Sequence, residues 1–281
     1  MVPPIPRLPV GPRDIGVFVA IALALGWIAG NPSATYEIVF DQPPPTAVAL
    51  TLFAIFALSP LIAVAVLVRR LRVGDGLRAF LRERFRWRTD VRWYVVATGL
   101  FPALAAVTYL VVSTVVEPVP VDPYIAGLIL LEVVTLGIFF NLVENYGWRG
   151  FLQEALQSRV SAVAAAIVVG VVWGLWHAAL FLPGGQFEAI PVSSYALVIV
   201  GQSVVIGWLY NSTRGSVLLA AIMHTSFNAS FGVLITSLIL ADASVDALYA
   251  VTAVAVWSTV AVIAYRTDPS TLQRRVAGSS G

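Results

Sequence analysis

Long apolar stretches separated by short polar segments run the length of the chain. About 20 apolar residues cross the hydrocarbon core of a bilayer as a helix, and eight stretches qualify: Ile15–Gly30, Thr46–Val68, Trp93–Val116, Tyr124–Val143, Val160–Leu182, Val192–Tyr210, Ser216–Leu240 and Ala247–Tyr265. The pattern predicts an all-α, polytopic membrane bundle of about eight transmembrane helices. It forms one integral membrane domain over residues 1–281, with no room for a separate soluble domain. The first stretch follows Arg7 and Arg13 and ends in small residues, as a signal peptide does. The charge sorting below requires it as a retained helix. The proline-rich start VPPIPRLPVGP and the GSSG tail are expected as flexible ends.

Composition leads to the same class, since 59% of the residues are hydrophobic and 11% charged, too few polar groups to cover a water-soluble globule. There is no cysteine, which excludes disulfides, thiolate metal sites and cysteine nucleophiles. All 17 basic residues are arginine. Threading eight spans with the N-terminus inside puts every arginine on one side, whereas the opposite loops carry Glu37, Asp41, Glu117, Asp122, Glu188, Asp242 and Asp246. By the positive-inside rule both termini are expected in the cytoplasm, and nucleic acid is not expected as a partner. Residues 69–92 hold nine of the arginines. Within them Leu77–Arg88 mixes cationic and apolar residues at helical spacing, which suits either an interfacial helix against anionic headgroups or a solvated cytoplasmic loop.

Ionisable and amide side chains inside spans are costly, which makes each a functional candidate. They are Glu132, Glu144, His177, Gln202, His224 and Asn228, with Arg149 just beyond the fourth span; the chain has only two histidines, and both are among them. If the fourth helix continues through ENYGWRGFLQEALQ to a turn near Ser158–Ser161, Glu144 lies roughly 21 Å before that turn. His177 then lies roughly 25 Å after it on the antiparallel partner, at the same level. His224 is roughly 14 Å into the seventh span, and Asn228 shares its helix face. Convergence therefore requires a long fourth helix that protrudes into the cytoplasm.

A buried carboxylate, two imidazoles and an amide suit hydrolysis by activated water. The histidines hold the water directly or through a metal, and the amide donates to an oxyanion. The bland account is interhelical hydrogen bonding, which is preferred for Glu132, about 120° round the helix from Glu144 at 100° per residue. Gly170 and Gly174 are expected to be packing positions. Trp148, Trp173 and Trp176 suit either an aromatic belt or a pocket wall.

ENYGWRGFL, WGLWHAALF and WLYNSTRGSVLLAAIMHTSFN resemble the three motifs of the CAAX protease and bacteriocin-processing family of membrane proteins (CPBP or Abi), which includes type II CAAX prenyl endopeptidases. The resemblance covers about residues 124–231. It implies an intramembrane endopeptidase with Glu144 as catalytic carboxylate and His177, His224 and Asn228 completing a water- or metal-binding site. Under a zinc mechanism Glu144, His177 and His224 are the metal ligands, and a metal-free mechanism uses the same residues. Arg149 and Trp173 are candidates for substrate binding, Arg149 equally for bracing the helix. Two positions depart from the family pattern: Asn145 replaces a second glutamate, and Trp173 a phenylalanine. Asn145 motivates the alternative, an inactive scaffold or bacteriocin-immunity-like protein that binds a partner in the same cavity. A transporter is expected to show repeated halves, and none is found. The expected substrate is a peptide or membrane protein, prenylated or not, presented from the bilayer and cut near the cytoplasmic leaflet.

Overall fold

The computed structural model describes residues 9–72, 75–115 and 121–274. The GSSG tail and all but the last residues of the proline-rich start lie outside them. The helices are α1 (Pro12–Gly30), α2 (Pro32–Phe40), α3 (Thr46–Arg70), α4 (Leu77–Arg84), α5 (Val91–Val115), α6 (Pro123–Gln157), α7 (Ala162–Phe181), α8 (Val192–Ser212), α9 (Val217–Leu240) and α10 (Asp246–Arg266). All but α2 and α4 are long and apolar enough to cross a membrane, eight in number, as the hydropathy pattern predicts. Neighbour contacts run α1, α3, α6, α9, α5, α10, α8, α7 and back to α1, so the eight spans close into a circuit.

The fourth span has the length that bringing Glu144 level with His177 requires. At 35 residues it is roughly 52 Å long, well beyond a hydrocarbon core of about 30 Å. Its two halves differ. No residue of Pro123–Gly137 is buried, whereas from Val143 to Gln153 every residue is. Glu132 lies on the bare half, exposed and with no side-chain hydrogen bond among the described residues. This corrects its expected role as an interhelical hydrogen-bonder: the outer half of α6 packs mainly against α9, which leaves most of its circumference without a protein partner.

Two π-helical turns, Val133–Gly137 and Trp148–Gln153, interrupt α6. A π turn carries one residue more than an α turn and disturbs the i→i−4 ladder, so freed carbonyls need other donors. At the second one the Gly150 carbonyl accepts from Arg84 Nε at 2.8 Å. Arg84 is 1% exposed, lies 3.9 Å over the Phe80 ring and bonds Glu154 Oε2 through Nη2 at 2.6 Å. The arginine-rich segment is thus helical only to Arg84, and it docks on protein through Phe80 and Arg84 while Arg78 and Arg82 stay exposed. Neither a purely lipid-facing helix nor a solvated loop describes it.

Close approach of α3 to α6 depends on Gly147, because a Cβ there would fall 2.5 Å from Pro60 Cβ and 3.0 Å from the Pro60 carbonyl oxygen. Pro60 cannot donate to the Phe56 carbonyl; Ser59 Oγ does so instead at 2.8 Å and accepts from Trp176 Nε1 at 2.8 Å. Gly170 is a packing position as expected, its Cβ site lying 2.8 Å from Val200 Cα on α8. The last element is a hairpin, β1 (Thr267–Asp268) paired antiparallel with β2 (Gln273–Arg274). Its Ser270 and Pro269 carbonyls accept from the Ala162 and Val163 N–H groups at 3.1 and 3.2 Å, satisfying free donors at the start of α7.

Candidate functional site

Glu144 sits on the buried half of α6, one turn ahead of the second π turn, and is 8% exposed. Trp148 follows at i+4 on the same face, and Trp173 comes from α7. Both indole N–H groups are directed at the Glu144 carboxyl as donors, but neither contact reaches regular hydrogen-bond geometry. Trp148 Nε1, Trp173 Nε1 and Glu144 Oε2 are all buried without a regular hydrogen bond among the described residues. Buried polar atoms are nearly always satisfied, so three orphans beside one another mark an unusual place. The three tryptophans are interior: Trp148, Trp173 and Trp176 are 1%, 2% and 0% exposed, which settles the choice between belt and wall.

Trp173 is the common neighbour. The His224 ring stands edge-on to it at 4.8 Å and 87°, and the His177 ring is 5.8 Å away. The Arg149 guanidinium lies 5.6 Å from the ring centre. Glu144, His177 and His224, read from the sequence as level with one another, therefore surround a single indole.

His177 is where α7 tightens into a 3₁₀ turn, His177–Phe181. Its Nδ1 lies 2.9 Å from the Trp173 carbonyl, which can only accept, so Nδ1 carries the proton and Nε2 holds the lone pair of the neutral ring. Trp176, Phe187 and Tyr195 enclose the imidazole at centroid distances of 4.6, 5.7 and 5.9 Å.

His224, 4% exposed on α9, is held by amides. Thr225 donates to the Ala221 carbonyl at 2.8 Å, so its oxygen accepts from Asn141 Nδ2 at 2.9 Å. Asn141 Oδ1 then accepts from Asn228 Nδ2 at 3.3 Å, and Asn145 Nδ2 donates to the Asn141 carbonyl at 2.7 Å. These bonds fix the amide orientations. Asn228 Nδ2 and Asn145 Nδ2 also approach His224 Nε2 and Nδ1, each at 3.3 Å. A neutral imidazole accepts at one nitrogen only, so one of these contacts is a hydrogen bond at a time.

Among the described residues no three His, Asp or Glu side chains are grouped as a metal site requires. Both ring nitrogens of His224 face N–H donors, the reverse of the acceptor a ligating imidazole uses on its second nitrogen. Arg149 is fully buried, donates to Ser203 Oγ at 2.9 Å and Gln153 Oε1 at 3.4 Å, and so ties α6 to α8. Ser203 passes the tie to the Ala166 carbonyl of α7 at 2.7 Å. Of the two roles open to Arg149, the geometry is that of a brace. Gln202 is buried, and its Nε2 has no hydrogen-bond partner among the described residues.

Two neighbours escaped the sequence reading. Asn141, 3% exposed, links α6 to both Thr225 and Asn228. It carried a usable signal, an amide inside an apolar span one turn before Glu144 and Asn145. Tyr195, against His177, carried none.

Residues 123–230 match the family profile described as Rce1-like, type II CAAX prenyl endopeptidase. The motif-bearing core is thus similar to that family over those residues. The match begins and ends within a residue of the range read from the three motifs. CAAX prenyl protease 2 of Methanococcus maripaludis is 35% identical over 92 residues, which is 30% of this chain and 34% of that relative. The chain thus spans about a third of the length of the curated relative it matches. The matched region includes Glu144, His177, His224 and Asn228; α1, α3, α5 and α10 lie outside it.

Proposed function

We propose that this protein is an intramembrane endopeptidase of CAAX type, with both termini cytoplasmic, that hydrolyses a peptide bond near the cytoplasmic leaflet. Glu144 takes a proton from a water whose oxygen attacks the scissile carbonyl, then delivers that proton to the leaving amine. His177 Nε2, its lone pair free, and His224 orient the water. Asn228 Nδ2 donates to the oxyanion, and the Trp148 and Trp173 N–H groups are further donors beside Glu144. Arg149 braces the wall. Every step is assigned to these side chains, and the chelator arm of the test below addresses zinc.

One observation carries the reading: Glu144, His177 and His224 share the Trp173 indole, and the Glu144 carboxyl there has an oxygen with no protein partner. Asn145 fits it, since its amide contacts His224, where a second carboxylate is not required to hold the ring.

The test uses purified full-length protein and a peptide ending in a CAAX motif, offered prenylated and unprenylated, with and without chelator. Wild type is expected to cleave regardless of chelator, and Glu144→Gln, which keeps shape and removes basicity, to cleave neither form. Cleavage by Glu144→Gln would overturn the assignment. Peptide binding by both proteins with cleavage by neither would favour the non-catalytic binding protein that Asn145 motivates. Comparing the two peptides decides whether prenylation is required.

A further inference from the structure

A second polar concavity lies away from the CAAX core's histidines, where α4 leads into α5 and α8 turns into α9. It is a cavity of about 350 Å³ lined by Arg86, Arg88, Arg92 and Arg214, with Asp90 as the one carboxylate and Trp93 on its wall. Asp90 is already engaged, its Oδ2 lying 3.3 Å from Arg92 Nε. The pocket therefore gathers four guanidinium groups around a single, paired acid.

Its surroundings have the composition of a membrane interface. Arg88 lies 4.8 Å from the Trp87 ring centre and Arg92 5.1 Å from that of Trp93, which packs edge-on to Trp208 at 5.5 Å. Indoles at headgroup depth and cations held over their faces are the usual furniture of that layer. Beside the pocket, Val91 and Val95 of α5 are 74% and 65% exposed, an apolar track running from its rim into the span. Arg214 is held with φ at +57°, a conformation asparagine or glycine adopts more easily than arginine, so the backbone does not account for the residue. Partial burial lowers the basicity of Arg86; Tyr210 and Glu154 oppose this, and Arg84 and Arg214 add to it. A guanidinium keeps its charge throughout, so crowded cations here gain from an anion.

We propose that this arginine pocket binds the phosphate of an anionic phospholipid headgroup, with the acyl chains along the exposed face of α5. Guanidinium forks match phosphate oxygens two at a time. The apolar track favours a lipid over a soluble phosphate.

The test measures the unfolding midpoint of the full chain in phosphatidylcholine carrying increasing phosphatidylglycerol, and in phosphatidylcholine with added inorganic phosphate. A ligand of the native state raises the midpoint with its concentration. Wild type is expected to rise with phosphatidylglycerol and not with phosphate. R88Q and R214Q, both at exposed positions, should each need about tenfold more phosphatidylglycerol for the same rise, the worth of one charge-assisted hydrogen bond. Their midpoints in phosphatidylcholine alone report whether they fold. R78Q/R82Q removes two charges outside the pocket and should respond as wild type. No rise in wild type, or equal weakening in R78Q/R82Q, overturns the pocket. An equal rise with inorganic phosphate overturns the lipid assignment in favour of a soluble ligand.

Discussion

Replacing Arg84 by Met should be the most damaging single change outside the histidine site, because its guanidinium serves two partners at once. Nη2 bonds Glu154 at 2.6 Å, Nε satisfies the Gly150 carbonyl in the π turn at 2.8 Å, and the side chain is 1% exposed. Methionine keeps the contact with Phe80 but leaves a carboxylate without its counter-charge, a loss of about 3–5 kcal/mol when a buried pair is broken from one side. Tyr210 also donates to Glu154, and the Glu154 side chain is 18% exposed, which places the expectation at the lower end. Adding Glu154→Gln removes the stranded charge and should restore part of the loss. What remains is the unpaired Gly150 carbonyl, about 1–3 kcal/mol. Urea or thermal unfolding of the two single variants and the double variant in one detergent gives the coupling directly. A loss below about 1 kcal/mol for R84M, or losses that simply add, would refute the buried clamp.

Gly147→Ala should cost about 1–3 kcal/mol in unfolding experiments, since its Cβ would meet Pro60 at 2.5 Å and force α3 and α6 apart. Trp176→Phe removes the donor to Ser59 Oγ, and about 1 kcal/mol of stability should go with it; in a Ser59→Ala background the same change should cost less. Asn141→Leu strands Asn228 and Thr225, and should lower peptide cleavage by more than it lowers the unfolding midpoint, whereas Asn141→Asp retains an acceptor for Asn228 and should do less harm.

Hydropathy alone located the eight spans, and the requirement that Glu144 and His177 come level predicted a long fourth helix, which α6 is at 35 residues. Features that depend on a distant partner stayed hidden. Nothing local in WRGFLQ marks a π turn; Trp148–Gln153 adopts one where Arg84, 66 residues away, supplies the donor for Gly150. Arg84 itself was indistinguishable from its neighbours, because the positive-inside rule accounts for every arginine in residues 69–92 equally well. The 120° offset of Glu132 from Glu144 indicates that it faces away from the site but not what it faces, and the half of α6 that carries it packs mainly against α9. Asn141 was legible and overlooked, as one amide in an otherwise apolar run.

The central claim is that Glu144 and His224 act on one water beside Trp173. Cleavage rates of a CAAX peptide by wild type, Glu144→Gln, His224→Gln and the double variant test it most directly, since residues acting as a unit are far from additive. Each single change should lower kcat/KM by about 10²–10⁴-fold, and the double variant should be no worse than the poorer single one. Losses that multiply would mean the two side chains serve separate steps, and activity undiminished in Glu144→Gln would contradict the account outright.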